Sequence, residues 1–134
     1  MHRLAVILRA AQLFAHNAHN LARGATFFAD HKELGKLYET YEGAYDSVVE
    51  RILGLGEEEI DLNKVAFEAV RELATYGAAT PQNTAFKVLL EIEEEIRETC
   101  EDVSKGQSIG TVNFLQGLAD ESEQRSYLLG QRMK

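Results

Sequence analysis

Apolar residues recur every three or four positions along most of the chain, the spacing that places them on one face of an α-helix. Four long stretches show this pattern, and no stretch alternates as a β-strand does. They predict helices over residues 2–22, over residues 26–53, from residue 81 to the break at Gly106, and over residues 109–131. The predicted inner face of the second helix consists of Phe27, Phe28, Leu34, Tyr38, Tyr41, Tyr45, Val48 and Ile52.

Glycine and proline mark the predicted ends of these helices. Gly24 breaks the chain after the first helix, and Gly54 and Gly56 stop the second, as glycine does after many helices. The third helix is predicted to begin with Thr80 as its N-cap and Pro81 as its first residue, where the missing N–H of proline costs nothing. These signals divide the chain into long helices with defined ends.

The connection between the second and third long helices is too long for a simple hairpin. It spans about 27 residues and contains a short helix predicted over residues 62–76, with Asp61 as its N-cap. Four long helices and one such crossover predict an all-α, ferritin-like four-helix bundle. A length of 134 residues fits a single domain, predicted to span residues 1–134.

Composition narrows the possible functions. The net charge is −8 and the isoelectric point is near 5.0, so the chain is expected to repel nucleic acid and to attract metal cations. No run of about 18 apolar residues occurs, so no membrane span is predicted. Cys100 is the only cysteine, which excludes an intrachain disulfide and is typical of a reducing, cytoplasmic location.

Two histidines and two carboxylates form the most informative set of candidate ligands, since imidazole and carboxylate together bind iron or zinc. His19 lies five residues before Gly24 and His31 seven after it. On antiparallel helices the two imidazoles are therefore expected to meet at similar height. Asp46 and Glu50 are spaced i and i+4, which places both carboxylates on one face of the second helix.

The two pairs are too far apart to bind one metal ion within a single chain. Asp46 lies fifteen residues beyond His31, which is about 22 Å along a helix. Antiparallel pairing of two copies of the second helix, about a two-fold axis near Glu39, would place His31 of one copy opposite Asp46 and Glu50 of the other. An isologous interface of this kind contains two such sites.

Three stretches of the chain resemble the Dps family of mini-ferritins. Residues 19–31, HNLARGATFFADH, resemble the family pattern H-W-N-x-[KR]-G-x-x-F-x-x-x-H, and residues 46–51, DSVVER, resemble D-x-x-A-E-R. The ending TVNFLQGLADESEQRSYLL is similar to the last helix of the family. The resemblance covers nearly the whole chain, and its specific part is the spacing of the candidate ligands.

The resemblance implies a dodecameric shell, built from two-fold dimers, that oxidises Fe²⁺ with hydrogen peroxide or oxygen and stores ferric mineral. It also implies that His19 and His31 come from one subunit and Asp46 and Glu50 from its neighbour, with Glu50 as the bridging or tighter ligand. The chain is thus expected to be a ferroxidase and an iron-storing homo-oligomer that protects against iron and peroxide.

The chain departs from the family pattern where a further carboxylate is expected. Four residues after the second histidine the family has aspartate, and this chain has Gly35. Glu39, one turn further on, is a candidate substitute ligand. Because a glycine inside a helix costs about 1 kcal/mol relative to alanine, Gly35 is expected to have a structural reason, and close approach of two helices is one.

Two other functions fit the same residues. The first is a Dps-like shell whose centre has lost efficient oxidation through Gly35, and which binds a single metal ion such as zinc or serves structurally. The second is a helical oligomer that binds a partner protein. In either case Tyr38, Tyr41 and Tyr45 are expected to pack in an interface, and most of the acidic run 91–95 is expected to face solvent.

Overall fold

The computed structural model describes residues 1–134 and consists of five α-helices joined by turns and loops. The helices are α1 (His2–Leu21), α2 (Phe27–Leu55), α3 (Leu62–Leu73), α4 (Gln82–Ser104) and α5 (Ile109–Arg132). Four of them are long, and the shorter α3 lies in the connection between α2 and α4. The predicted all-α bundle with a short helix in its crossover is therefore confirmed.

Two glycines in the left-handed region follow α1 and α2. Gly24, with φ 86°, lies in the turn between these helices. Gly56, with φ 64°, ends α2 by donating its N–H to the carbonyl of Ile52 at 3.2 Å. The prediction that Gly54 also stops α2 is wrong, because the helix continues through it to Leu55 before the backbone turns left-handed at Gly56.

The short helix α3 ends earlier than predicted. Asp61 caps it as expected, accepting hydrogen bonds from the backbone N–H groups of Asn63 and Lys64. The helix ends at Leu73 rather than at Tyr76, because the Tyr76 N–H bonds to the Leu73 carbonyl in a tighter turn. The remainder of the crossover then leads into α4.

The start of α4 also differs from the prediction. Pro81 has an extended backbone, with ψ 173°, and takes the N-cap position expected for Thr80. Gln82 is consequently the first helical residue. Its buried side-chain amide donates a hydrogen bond to the carbonyl of Arg23. The first turn of α4 is thereby fixed against the α1–α2 turn.

Helix α1 lies at the centre of the bundle and packs on α2, α3 and α4, while α5 packs on α4. The apolar residues of α1 that recur every three or four positions are buried, and they are Leu4, Ile7, Leu8, Ala11 and Phe14. On α2 the predicted inner line is wrong at Phe28, which is 88% exposed. Phe28 directly follows the inward-facing Phe27, and a step of one residue turns a side chain about 100° around the helix.

A fully buried carboxylate, that of Glu93 on α4, lies inside the bundle. Arg125 of α5 donates its Nε to Glu93 Oε1 at 2.7 Å and its Nη2 to Oε2 at 3.1 Å. Tyr41 of α2 donates its hydroxyl to Oε1 at 2.5 Å, and Ser122 of α5 donates to Oε2 at 2.6 Å. This network connects α2, α4 and α5 through one side chain.

Glu93 is the exception in the acidic run 91–95, most of which was expected to face solvent. Tyr41 is buried on the predicted inner face of α2, so the expectation that it packs in an interface is wrong, and both residues are fully buried within the chain. The ion pair with Arg125 compensates for removing the carboxylate from water. Burial, together with the neighbouring Glu93, raises the pKa of Tyr41 well above its usual value, so its hydroxyl stays a hydrogen-bond donor.

A second ion pair holds the end of α5 against the start of α2, next to His31. Arg132 donates Nε and Nη2 to the two oxygens of Asp30, both at 2.9 Å, and the Thr26 hydroxyl donates to Asp30 at 2.6 Å. These hydrogen bonds, that from Arg132 foremost, hold the pKa of the Asp30 carboxyl below its usual range. The backbone that carries His31 is therefore fixed to the last helix.

A partly buried acidic pair joins α1 to α3 and α4. Arg3 of α1 donates to Glu72 of α3 and to Glu95 of α4, each at 3.0 Å. Burial and the nearby Glu72 raise the pKa of Glu95 from its ordinary value of 4.5 to about 6. Between these two pH values the folded chain therefore binds more protons than the unfolded chain.

Glu95→Gln is expected to change how stability depends on pH. The raised pKa makes the contribution of Glu95 most favourable below pH 4.5, and that contribution is lost as the pH rises through about 6. The variant should therefore show a smaller fall in its urea midpoint between about pH 4 and pH 7 than the wild type. Glu94→Gln, at the exposed neighbouring position, is the control, and an equal fall in all three proteins would contradict the prediction.

Candidate metal centre

His19 and His31 lie side by side across the α1–α2 turn. His19 is in the last turn of α1, and His31 is in the second turn of α2. Their rings are stacked, with centroids 3.7 Å apart and planes inclined at 22°. Both side chains are half-buried. The structure thus brings together the two imidazoles that the sequence placed at similar height.

Each imidazole of this pair is held by the backbone of the other residue. His19 Nδ1 lies 2.7 Å from the carbonyl oxygen of His31, and His31 Nδ1 lies 2.9 Å from the carbonyl oxygen of His19. A carbonyl oxygen only accepts hydrogen bonds, so each Nδ1 must carry the proton and donate. In the neutral imidazole the lone pair is then on Nε2, the atom left free to bind a metal ion.

Aromatic side chains surround the histidine pair. Phe27 is stacked on His31 with ring centroids 4.8 Å apart, and the Tyr38 ring meets His19 edge-on at 5.3 Å. His16 in turn is stacked on Tyr38 at 4.1 Å. Sequence reasoning missed the contact between Tyr38 and His19. It could have been predicted, because Tyr38 lies seven residues after His31, on the same face of α2 that meets His19.

Gly35, the position at which a carboxylate was expected, lies directly under the His19 ring. A Cβ atom built on Gly35 would be 3.2 Å from both Cε1 and Nδ1 of His19. Such a distance is shorter than ordinary van der Waals contact. The ring of His19 therefore occupies the space that a side chain at residue 35 would need.

The candidate carboxylates do not reach the histidine pair within the chain. Asp46, Glu50 and Glu39 are all exposed on α2, and none forms a hydrogen bond or an ion pair with another residue. No group of three or more His, Cys, Asp or Glu side chains that could hold a metal ion occurs within the chain. The histidine pair is thus at most half of a metal site.

Arg51 does not neutralise the adjacent Glu50, because it is directed towards α5. Its Nη1 lies 3.4 Å from the Thr111 hydroxyl, and its guanidinium lies over the Phe114 ring at 4.5 Å. The Glu50 carboxylate therefore remains available for a ligand or a second chain.

The interior of the bundle offers no alternative metal site. Metal sites inside four-helix bundles use several carboxylates and histidines that project inward from facing helices. Here Glu93 is the single carboxylate at the centre, both of its oxygens accept hydrogen bonds from Arg125, and no histidine is fully buried. Any metal chemistry is therefore expected at the surface of α1 and α2.

The helix arrangement is shared with known proteins. A family model described as the ferritin-like domain matches residues 2–132. The chain belongs to the ferritin-like family. The structure of this ferritin-like protein is similar to that of Dps from Listeria monocytogenes, with a TM-score of 0.83 and 21% sequence identity over 98% of this chain and 88% of that chain. It is also similar to CAIP from Helicobacter cinaedi, with a TM-score of 0.79 and 20% identity over 99% of each chain.

These comparisons confirm the ferritin-like bundle and its likeness to Dps mini-ferritins. At 20–21% identity the similarity to solved structures concerns the fold, so the role of each residue must be argued from geometry. A comparison with curated protein sequences finds no match. None of the five helices combines the length and the apolar character needed to cross a bilayer.

Proposed function

We propose that this ferritin-like protein oxidises Fe²⁺ at sites shared between two chains, and stores the ferric product inside a homo-oligomeric shell of the Dps type. The observation that carries the proposal is the reciprocal histidine pair. The Nδ1–H groups of His19 and His31 are both used by backbone carbonyls, so both Nε2 atoms are free. Orienting hydrogen bonds of this kind typically accompany histidines that bind metal ions.

A second copy of the chain supplies the carboxylates that the histidine pair lacks. Asp46 and Glu50 are exposed, have no partner in their own chain, and lie about 22 Å and about 28 Å along α2 from His31. Antiparallel pairing of two α2 helices near Glu39 brings them opposite the histidines of the other copy, and Glu39 itself lies near the axis. Each dimer then contains two sites, and the likeness to Dps supports assembly into a dodecamer.

The proposed donors suit the reaction. Imidazole nitrogens bind Fe²⁺, and anionic carboxylate oxygens favour the harder Fe³⁺, so the mixed set assists loss of an electron from iron. With hydrogen peroxide, two Fe²⁺ ions each give one electron to the O–O bond, which breaks. Two water molecules are also consumed, and the products are two FeOOH units and four protons. The negative net charge of −8 favours the approach of the cationic substrate.

A specific observation favours a second candidate function, the binding of a single metal ion such as Zn²⁺ without oxidation. Gly35 leaves the chain's own half of the site with imidazole donors alone. Zinc accepts such ligands readily and has no redox chemistry. This alternative predicts tight Zn²⁺ binding and Fe²⁺ oxidation no faster than in buffer.

The test is Fe²⁺ oxidation, followed by the ferric absorption in the near ultraviolet, with hydrogen peroxide and with oxygen alone. Rapid, saturable oxidation is expected in the wild type. Glu50→Ala should reduce the rate by about tenfold or more, because a metal ligand is lost. The control is Glu59→Ala, which removes one exposed carboxylate from the loop that follows α2. Oxidation at the buffer rate in the wild type would contradict the proposed function.

A further inference from the structure

Gly35 is a glycine in the interior of a long helix, where its missing side chain is normally a disadvantage. Glycine destabilises a helix relative to alanine because its backbone loses more freedom on folding. The backbone of Gly35 has no left-handed φ that would require glycine. The reason for glycine at this position must therefore be the space that a side chain would occupy.

The space above Gly35 is filled by a rigid group. Both atoms that an added Cβ would meet at 3.2 Å, Cε1 and Nδ1, belong to the aromatic ring of His19. The other glycines within helices have no atom in a comparable position within 4 Å, and they are Gly43, Gly54, Gly110, Gly117 and Gly130. Gly35 is thus the helical glycine at which the absence of Cβ has a specific consequence.

To admit a Cβ at residue 35, the His19 ring would have to shift by a few tenths of an ångström, against several contacts that hold it. Its Nδ1 donates to the His31 carbonyl at 2.7 Å, and its face is stacked on the His31 ring at 3.7 Å. His31 is itself stacked on Phe27, and Tyr38 contacts the edge of His19. A Cβ at residue 35 would therefore press on the His19 ring and strain the hydrogen bond that orients it.

We propose that Gly35 is a positioning residue for His19. By omitting Cβ it lets the imidazole lie against α2 with Nδ1 on the His31 carbonyl and Nε2 free for the metal ion. The metal-binding part of this inference rests on the proposed function, whereas the packing of His19 on Gly35 does not.

The experiment uses Co²⁺ as a spectroscopic probe of the assembled protein. Gly35→Ala is expected to weaken Co²⁺ binding about ten- to 100-fold, the usual effect of disturbing a group that orients a metal ligand. The control is Gly117→Ala, an exposed helical glycine with open space around it, which should leave Co²⁺ binding unchanged. Equal Co²⁺ affinity in wild type and Gly35→Ala would overturn the inference.

A second measurement needs no metal. In a His19→Ala background, Gly35→Ala should raise the thermal midpoint, because only the gain in helix propensity remains. With His19 present the same change should raise the midpoint less or lower it. If the two shifts are equal, Gly35 does not position His19 and the inference is wrong. If they differ but the wild type binds no Co²⁺, the positioning stands and the proposed function fails.

A third variant separates this inference from close packing between helices of two chains. Gly43 lies symmetrically to Gly35 about the proposed two-fold axis near Glu39, and its Cβ position is open within the chain. If Gly35 served only close approach of two α2 helices, Gly35→Ala and Gly43→Ala would both dissociate the oligomer in light scattering. That outcome would overturn the inference, which expects Gly35→Ala to remain assembled.

Discussion

Alanine in place of His31 is expected to lower the rate of Fe²⁺ oxidation about 100-fold while the oligomer still forms. The change removes a free Nε2 ligand and the ring on which His19 is stacked at 3.7 Å. It also removes the hydrogen bond from His31 Nδ1 to the His19 carbonyl. Disturbing a group that orients a metal ligand costs ten- to 100-fold, and in this variant the ligand itself is lost.

The measurement is the initial rate of Fe²⁺ oxidation with hydrogen peroxide, together with light scattering on the same sample. The matched control is His2→Ala, which removes a histidine that contacts Glu68 of α3 rather than the α1–α2 turn. The control should retain the wild-type rate. Oxidation at the wild-type rate in His31→Ala, with an intact oligomer, would contradict the role of His31 as a metal ligand.

Alanine in place of Glu93 is expected to destabilise the fold by about 3–5 kcal/mol, the usual cost of removing one partner of a buried ion pair. The variant leaves the Arg125 guanidinium without its carboxylate inside the bundle. It also leaves the Tyr41 hydroxyl without its acceptor, whereas the Ser122 hydroxyl keeps the backbone carbonyl of residue 93 as an acceptor. Because these residues connect α2, α4 and α5, the loss affects the bundle as a whole.

The measurement is urea unfolding, followed by circular dichroism at a fixed chain concentration, since assembly contributes to apparent stability. Glu94→Ala, at the exposed neighbouring position, should change the free energy of unfolding by no more than about 0.5 kcal/mol. A double variant, Glu93→Leu with Arg125→Leu, should recover much of the loss because no charge is left buried alone. Equal effects of Glu93→Ala and Glu94→Ala would contradict the prediction.

The helices could be predicted from sequence because their periodicity and their end signals agree. Gly24, Gly56 and Asp61 act through local backbone geometry, which a sequence pattern contains. Gly54 was misjudged because a glycine ends a helix only when its backbone turns left-handed, and Gly54 does not. Helix ends are therefore predictable to within a few residues from local signals alone.

The buried ion pair was missed although the sequence contained a signal for it. Glu93 follows Phe86 by seven residues and precedes Cys100 by seven, so it lies on the apolar face of α4 rather than with its exposed neighbours. Its partner Arg125 is distant in sequence, and only the packing of α4 on α5 brings the two together. The position of Glu93 on the apolar face of α4 was thus the sequence signal for a buried ion pair.

The proximity of the two histidines was predictable from the sequence, but their detailed contacts were not. The spacing of His19 and His31 about Gly24 placed the two rings together. The reciprocal Nδ1 hydrogen bonds depend on side-chain torsions that no spacing specifies. The packing of His19 on Gly35 likewise requires the positions of two helices. The proposed contribution of a second chain would lie in an interface between chains, of which a single chain shows only exposed, unpaired carboxylates.

The central claim, a site shared between two chains, is tested most directly by mixing two inactive variants. His31→Ala and Glu50→Ala chains with different affinity tags are co-expressed, and oligomers that carry both tags are purified. In a mixed dimer, one site combines the intact histidines of one chain with the intact carboxylates of the other. With random pairing half of the dimers are mixed, so about one quarter of the wild-type oxidation rate is expected. Mixed oligomers that oxidise Fe²⁺ no faster than either variant alone would contradict the shared site.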